Sequence, residues 1–366
     1  MSLKKDNFNN FDKRIMKLAI NLAINQKGLT GTNPSVGCVI VKNKKIVSFG
    51  VTNISGRPHA ETIALNSNVK ENIGSTVYLT LEPCSHYGET PPCTKALIKS
   101  RVKKVNYSIE DIDRRSFKKY KKILNLNKIS TKSGLLSKEV KILYKDYNYV
   151  KKKKYPYITG KLACSSDFHI LRNNTIITNE HSRNVSHLLR YKNHGILTSY
   201  KSINIDNPKL TCRLNGLEKL SPRILVIDKD LKINVKSYIV NNSKKLNTII
   251  FHNSKNFKRI EKLKKKGLKL IHQEVEKDGY INLRKLFKNI YNLGIYTLLV
   301  ECGKNLTYKI LSKKLFNEFY LFKSDKKLNN KGKINVLNIN KNLNKNFKYK
   351  KYVNTYLDKD TLIHYY

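Results

Sequence analysis

The sequence predicts two successive α/β domains, and three observations carry that prediction. At 366 residues the chain is long for one core, so two domains are the natural division. Strand-like and helix-like segments alternate through both halves, the order of layered α/β domains. Between the halves lies a polar, lysine-rich stretch, Tyr147 to Tyr155, closed by Pro156. The expected domains are therefore 1–147 and 148–366, with 331–366 the least regular part.

In the first half, Ile15, Leu18, Ala19 and Leu22 recur at helical spacing. Val36 to Val41 and Lys45 to Phe49 read as two strands around an Asn43-Lys44 turn. Pro58 is expected to open a helix through Ala60, Ile63, Ala64 and Leu65, because the first helical amide needs no partner. A strand at Thr76 to Leu81, a helix after Pro92 and a strand at Lys104 to Ile109 follow. In the second half, Tyr157 to Cys164 reads as a strand and Asn179 to Tyr191 as an amphipathic helix. Further strands fall at 195–198, 224–227, 248–251 and 297–300, and Leu283, Leu286, Phe287 and Ile290 share one helix face. After Leu328 the chain is Asn- and Lys-rich, either a degraded end of the sheet or partly flexible.

Chemistry concentrates in Pro58-His59-Ala60-Glu61 and in Glu82-Pro83-Cys84 through to Cys93. One imidazole and two thiols supply three zinc ligands, and a catalytic zinc site keeps its fourth position open for water. Glu61 is not needed as a ligand and is free to move protons, the division of labour of zinc-dependent nucleobase deaminases. Both segments fall at expected helix beginnings, where exposed amides favour thiolates.

The net charge of +47 suggests nucleic acid at first sight, but 61 of the 73 basic residues are Lys, only 12 are Arg, and there are 43 Asn. Base readout and stacking lean on Arg. A Lys-, Asn- and Ile-rich chain is the expected product of an AT-rich gene, and no nucleic-acid partner is expected. The positive field instead suits phosphorylated substrates. The N-terminus lacks the apolar run of a signal peptide and no segment approaches a membrane span, so a cytoplasmic protein is expected. Cys38, Cys164, Cys212 and Cys302 sit in apolar or mixed stretches and read as buried free thiols.

Eight residues, not two, separate Cys84 from Cys93, and the insert is informative. Asn33-Pro34-Ser35-Val36-Gly37-Cys38-Val39-Ile40-Val41, Pro58 to Glu61, and Glu82 to Cys93 together resemble the bifunctional deaminase/reductase family of riboflavin biosynthesis. The resemblance implies a cytidine-deaminase-like three-layer domain followed by a dihydrofolate-reductase-like α/β domain. It also implies Zn2+ on His59, Cys84 and Cys93, proton transfer by Glu61, and Asn33 against the substrate pyrimidine. In the second domain the matching landmarks are Lys161-Leu162 before Ser165-Ser166-Asp167, Asp206-Asn207-Pro208 before Leu210-Thr211-Cys212-Arg213, and Glu301-Cys302-Gly303. Carried over position by position, Asn174, Arg190, Leu210, Arg213 and Glu301 would contact substrate. Ala163, Ile176, Ser202, Asp206, Lys229 and Gly303 would hold NADPH. The implied substrate is a diaminopyrimidinone carrying a ribosylamino 5′-phosphate; a homo-oligomer is left open.

The chain departs from the family pattern at Phe168, where the family has glycine, at Ile176, where it has tryptophan, and at Asp325 to Asn329 and Asp111 to Arg114. Losses of this kind would weaken cofactor binding more than substrate binding. Three rival readings stay open: a deaminase whose second domain is only a scaffold, a deaminase of free or tRNA-borne bases, and a nucleic-acid-binding protein whose structural zinc takes His86 as fourth ligand.

Overall fold

The computed structural model describes residues 8–113, 115, 119–170, 176–329 and 334–366. The chain divides into two compact units, Met1–Lys153 and Lys154–Tyr366. The first unit contains strands β1 (Gly37–Lys42), β2 (Lys45–Val51), β3 (Thr76–Leu81), β4 (Lys104–Ile109) and β5 (Ser130–Ser133). Its helices are α1 (Asn10–Gln26), α2 (Ala60–Ser67), α3 (Cys93–Lys99), α4 (Lys119–Leu126), α5 (Ser137–Leu143) and α6 (Lys145–Lys153). The expected boundary at 147/148 falls inside α6, whose Tyr147 packs on the core of the first unit.

The five strands form one sheet in the order β2-β1-β3-β4-β5, antiparallel at β2-β1-β3 and parallel from β3 to β5. Consecutive residues of β1 and β3 are buried, so both faces of the sheet are covered, as in a three-layer domain. Asn43 and Lys44 both take positive φ, as a two-residue hairpin turn with this twist requires. Each fully buried aliphatic side chain, such as Val39, Ile40, Val77 or Leu79, contributes about 1.5–3 kcal/mol of burial. Helix α2 lies directly on β2 at Gly50, where a Cβ would meet the Ala60 carbonyl oxygen at 2.3 Å. Only glycine permits that approach. Pro58 does not open this helix; it precedes it by two residues, and His59 is the N-cap.

The second unit contains β6 (Tyr157–Cys164), β7 (His169–Ile170), β8 (Gly195–Ser199), β9 (Arg223–Ile227), β10 (Ile249–His252) and β11 (Lys269–His272). It continues with β12 (Thr297–Glu301), β13 (Glu318–Lys323), β14 (Ile334–Asn335), β15 (Lys350–Tyr352) and β16 (Thr361–Tyr365). The helices are α7 (Glu180–Tyr191), α8 (Tyr200–Asp206), α9 (Tyr238–Asn241), α10 (Ser243–Leu246), α11 (Phe257–Lys265), α12 (Leu283–Asn292), α13 (Lys304–Ser312) and α14 (Leu337–Asn346). Nine strands join in the order β11-β10-β9-β8-β12-β6-β13-β16-β15, parallel from β11 to β13 and antiparallel beyond. Alternate residues divide between two cores: Leu197, Leu225 and Leu298 face one, Ile196, Ile224 and Leu299 the other. All four helix-face residues expected of α12 are buried. The segment after Leu328 completes the sheet: β16 pairs with β13 from Phe319↔Tyr365 to Lys323↔Thr361. Among the described residues no helix is long and apolar enough to cross a membrane.

Candidate active sites

The first site forms where α2 and α3 begin. His59 precedes α2, Cys93 is the first residue of α3, and Cys84 lies on the loop after β3, not at a helix start. His59 Nδ1 is 3.3 Å from Cys93 Sγ and 3.6 Å from Cys84 Sγ. Tetrahedral zinc with ordinary Zn–N and Zn–S bonds sets such donors about 3.6 Å apart, so this cluster fits the ion. His86 stands outside the cluster, and among the described residues no other His, Cys, Asp or Glu group gathers in this way. The Cys93 thiol donates towards Cys84, which also accepts the Cys93 amide at 3.2 Å; together these bring the Cys84 thiol down to about 4. Cys93 is pushed up by the same hydrogen bond and by burial.

Glu61, in the first turn of α2, is 4% exposed and hydrogen-bonds Cys93. Burial raises its pKa, and neighbouring His59 opposes the rise. Glu82 fixes the loop carrying Cys84: its Oε2 accepts the Asp111 amide at 3.0 Å, tying the end of β3 to the end of β4. Asn33 donates through Nδ2 to the Gly56 carbonyl at 3.0 Å, beside the approach to α2. Arg57 crosses between the metal-binding segments, with Nε donating to Glu89 at 2.9 Å and Nη1 to Thr90 at 2.6 Å.

The second site lies at the carboxyl ends of β6, β8 and β12. The chain enters the sheet at β6, builds outward from β8 to β11, and returns to insert β12 between β8 and β6. Such reversals of strand order open a crevice for ligands beyond the carboxyl ends. Arg190 donates through Nε and Nη2 to the two oxygens of Glu301, at 2.8 and 2.9 Å, and through Nη1 to the Thr211 carbonyl at 3.2 Å. Lys161 Nζ lies 3.7 Å from Glu301 Oε2. Burial alone would raise Glu301, but Arg190 and Lys161 outweigh it and hold the carboxyl at about 2. Burial lowers Lys161 against the pull of Glu301. His187 is brought down to about 4 by burial and then by Arg190 and Arg213.

Gly303 caps α13 without a side chain, leaving the first helical amides open, and a Cβ there would still stand 3.9 Å from Ser202 Oγ. Phe168 keeps the left-handed backbone of a glycine, φ 59°, while its ring packs on the core under Lys323. Asp167 accepts the Leu328 and Asn329 amides at 3.1 and 2.8 Å, so the altered 325–329 segment remains tied to the turn after β6.

The cytidine and deoxycytidylate deaminase zinc-binding region matches residues 9–109, and the RibD C-terminal domain matches residues 156–326. The riboflavin biosynthesis protein RibD of Aquifex aeolicus is 35% identical over 315 residues, 85% of this chain and 86% of that protein. The chain belongs to the RibD family. The RibD of Bacillus amyloliquefaciens is 30% identical over 84% of the chain and 82% of its own length. Acinetobacter baumannii RibD superposes with a TM-score of 0.81 at 25% identity, covering 97% of this chain and 98% of that one. The Thermotoga maritima diaminohydroxyphosphoribosylaminopyrimidine deaminase/5-amino-6-(5-phosphoribosylamino)uracil reductase superposes at 0.79 with 26% identity, covering the same shares. As a RibD-family protein the chain is a bifunctional deaminase/reductase of riboflavin biosynthesis, with a His/Cys metal site consistent with zinc in its deaminase half.

The structure unites Arg190 with Glu301, and Glu301 and Thr211 engage its guanidinium. Arg213 is exposed. Leu210, at φ 56°, buries its side chain in the core, which leaves its backbone for any ligand. Ser202 neighbours Gly303, whereas Asp206 ends α8 and Lys229 follows β9 beside Asp230. Ala163 packs against Phe322, and Ile176 is 61% exposed. Asn174 lies outside the described residues. Lys161 joins Arg190 and Glu301 without having been assigned a role from the sequence, where its one signal is a lysine in a largely apolar strand.

Proposed function

We propose that the first unit deaminates a diaminopyrimidinone bearing a ribosylamino 5′-phosphate, and that the second reduces the ribosyl to a ribityl chain with NADPH. The observation carrying this reading is the convergence of His59 Nδ1, Cys84 Sγ and Cys93 Sγ beside a buried carboxyl that none of them needs as a ligand. His59, Cys84 and Cys93 would hold zinc, which when bound supplies a water acidified from about 15.7 towards 7. Glu61 would receive one proton at its carboxylate as the water is deprotonated and pass it to a ring nitrogen, so that hydroxide adds to the amino-bearing carbon. It would then take the proton of the new hydroxyl and deliver it to the amino nitrogen as the C–N bond breaks and ammonia leaves. A carboxyl raised by burial suits this work, since it must hold the proton between transfers. Asn33, with Nδ2 engaged by Gly56, has Oδ1 to accept a hydrogen from the pyrimidine.

In the second unit, NADPH when bound would supply a hydride for the ribosyl carbon. The uncapped amides at the start of α13 suit its phosphates, with Ser202 alongside. Ala163, Ile176, Asp206 and Lys229 are assigned to the same cofactor from the family pattern. Glu301 orients Arg190 and Lys161, and the lowered pKa of Lys161 eases release of a proton from Nζ towards the opened sugar. The test follows ammonia release and NADPH oxidation with the diaminopyrimidinone phosphate. Ammonia should appear without NADPH, and NADPH oxidation should require prior deamination. NADPH consumption with no ammonia formed would refute this order.

A further inference from the structure

Arg57 stands where the two metal-binding segments meet. Its Nη1 lies 3.4 Å from His59 Nε2, the ring nitrogen turned away from the two sulfurs, so the guanidinium sits at the edge of the metal centre. Its partners Glu89 and Thr90 belong to the insert between Cys84 and Cys93. The two ends of the ion pair differ greatly in burial: the Arg57 side chain is 28% exposed and that of Glu89 83%. A Cβ on Gly88 would come 3.5 Å from Arg57 Nη2, and its absence keeps that nitrogen approachable.

We propose that Arg57 receives the 5′-phosphate of the pyrimidine substrate, and that the Glu89 carboxylate occupies the guanidinium until the phosphate displaces it. This rests on the deaminase reading above. An exposed carboxylate paired with Arg gains little, because water and salt screen it and its side chain must be held in place. Phosphate brings a charge of about −1.5 to −2 and can take the guanidinium bidentately, so it outcompetes a single carboxylate at the same fork. Glu89 returns to water with little change in its surroundings. The exchange selects phosphorylated over phosphate-free pyrimidine at the zinc site and frees the 85–90 loop as substrate seats.

The experiment uses the full zinc-loaded chain, with zinc content checked in every variant. Ribose 5-phosphate binding is measured by calorimetry. The ratio of deamination kcat/KM for the phosphorylated over the dephosphorylated pyrimidine is measured in parallel. Arg57→Gln should weaken ribose 5-phosphate binding and lower the ratio at least about tenfold, with Arg57→Lys intermediate because it keeps charge but loses the fork. Glu89→Gln should strengthen binding and raise the ratio. An unchanged ratio and unchanged ribose 5-phosphate binding in Arg57→Gln would overturn the proposal. So would equal losses on both substrates in Arg57→Gln and Glu89→Gln, since that is the behaviour of a loop clasp. Failure of the wild type to release ammonia from either pyrimidine refutes the deaminase reading instead, and ribose 5-phosphate binding still decides the role of Arg57.

Discussion

Replacing Glu301 by Gln should destabilise the second unit by about 3 kcal/mol at neutral pH, and the effect should vanish in acid. The carboxyl stands at about 2 in the folded chain against an ordinary 4.5, and its side chain is 11% exposed, so solvent screens it little. A gap of about 2.5 on the pH scale, at about 1.36 kcal/mol each, gives the estimate. It agrees with the cost of about 3–5 kcal/mol for leaving a buried charge without its partner. Here Arg190 and Lys161 would both be left. The folded-state value is the depressed one, so the stabilisation is complete above about pH 4.5 and is lost as the pH falls towards 2. Thermal unfolding of the full chain should show the transition of the second unit lowered by about 6–12 °C at pH 7, from about 2–4 °C per kcal/mol at this size. Wild type and Glu301→Gln should converge below pH 4.5. A variant within about 1 kcal/mol of wild type at pH 7 would show that the Arg190 fork is satisfied elsewhere. A difference persisting undiminished to the lowest pH would show that packing, not ionisation, is at stake.

Three further outcomes are expected. Cys84→Ser and Cys93→Ser should each lose zinc together with deamination, measured by metal content and ammonia release; deamination by metal-free protein would contradict the assignment. Glu61→Gln should retain zinc while its deamination rate falls at least about 100-fold, the low end of general acid–base contributions; loss of the metal would mean the carboxylate is structural. Phe168→Gly should tighten NADPH in a fluorescence titration if close backbone approach limits binding at this turn, since glycine keeps the left-handed φ of 59° and removes the side chain. Binding to neither protein would make the second unit a scaffold.

The metal centre was legible because its chemistry is local: three ligands and the carboxyl lie within 35 residues, and each residue type has few other reasons to recur at that spacing. Strands such as β1, β3 and β12 were equally legible, being apolar along most of their length. The edge strands β5 and β11 were not, because they are short and no residue of either is fully buried; β5 is polar throughout, and β11 has only Leu270 and Ile271 between polar ends. Strand β16 was hidden for a different reason. Its burial depends on β13, some forty residues earlier, and its Asn- and Lys-rich approach carries no periodicity. The engagement of Arg190 could not be anticipated, since an arginine's partner across a sheet is a tertiary fact. The pairing of Arg57 with Glu89 is a tertiary fact of the same kind.

The insertion of β12 between β8 and β6 has a consequence for how the protein folds. Lys161 and Glu301 are direct partners in the parallel ladder, although about 140 residues separate them in the chain. The centre of the sheet therefore closes by long-range pairing, the slowest kind to form, after the loop-closure entropy of everything between has been met. A slip of one residue would turn Glu301 to the opposite face and bury it without Arg190 or Lys161. The ion cluster therefore penalises misregistered sheets, and the reductase site is assembled only in molecules whose central strands have paired correctly.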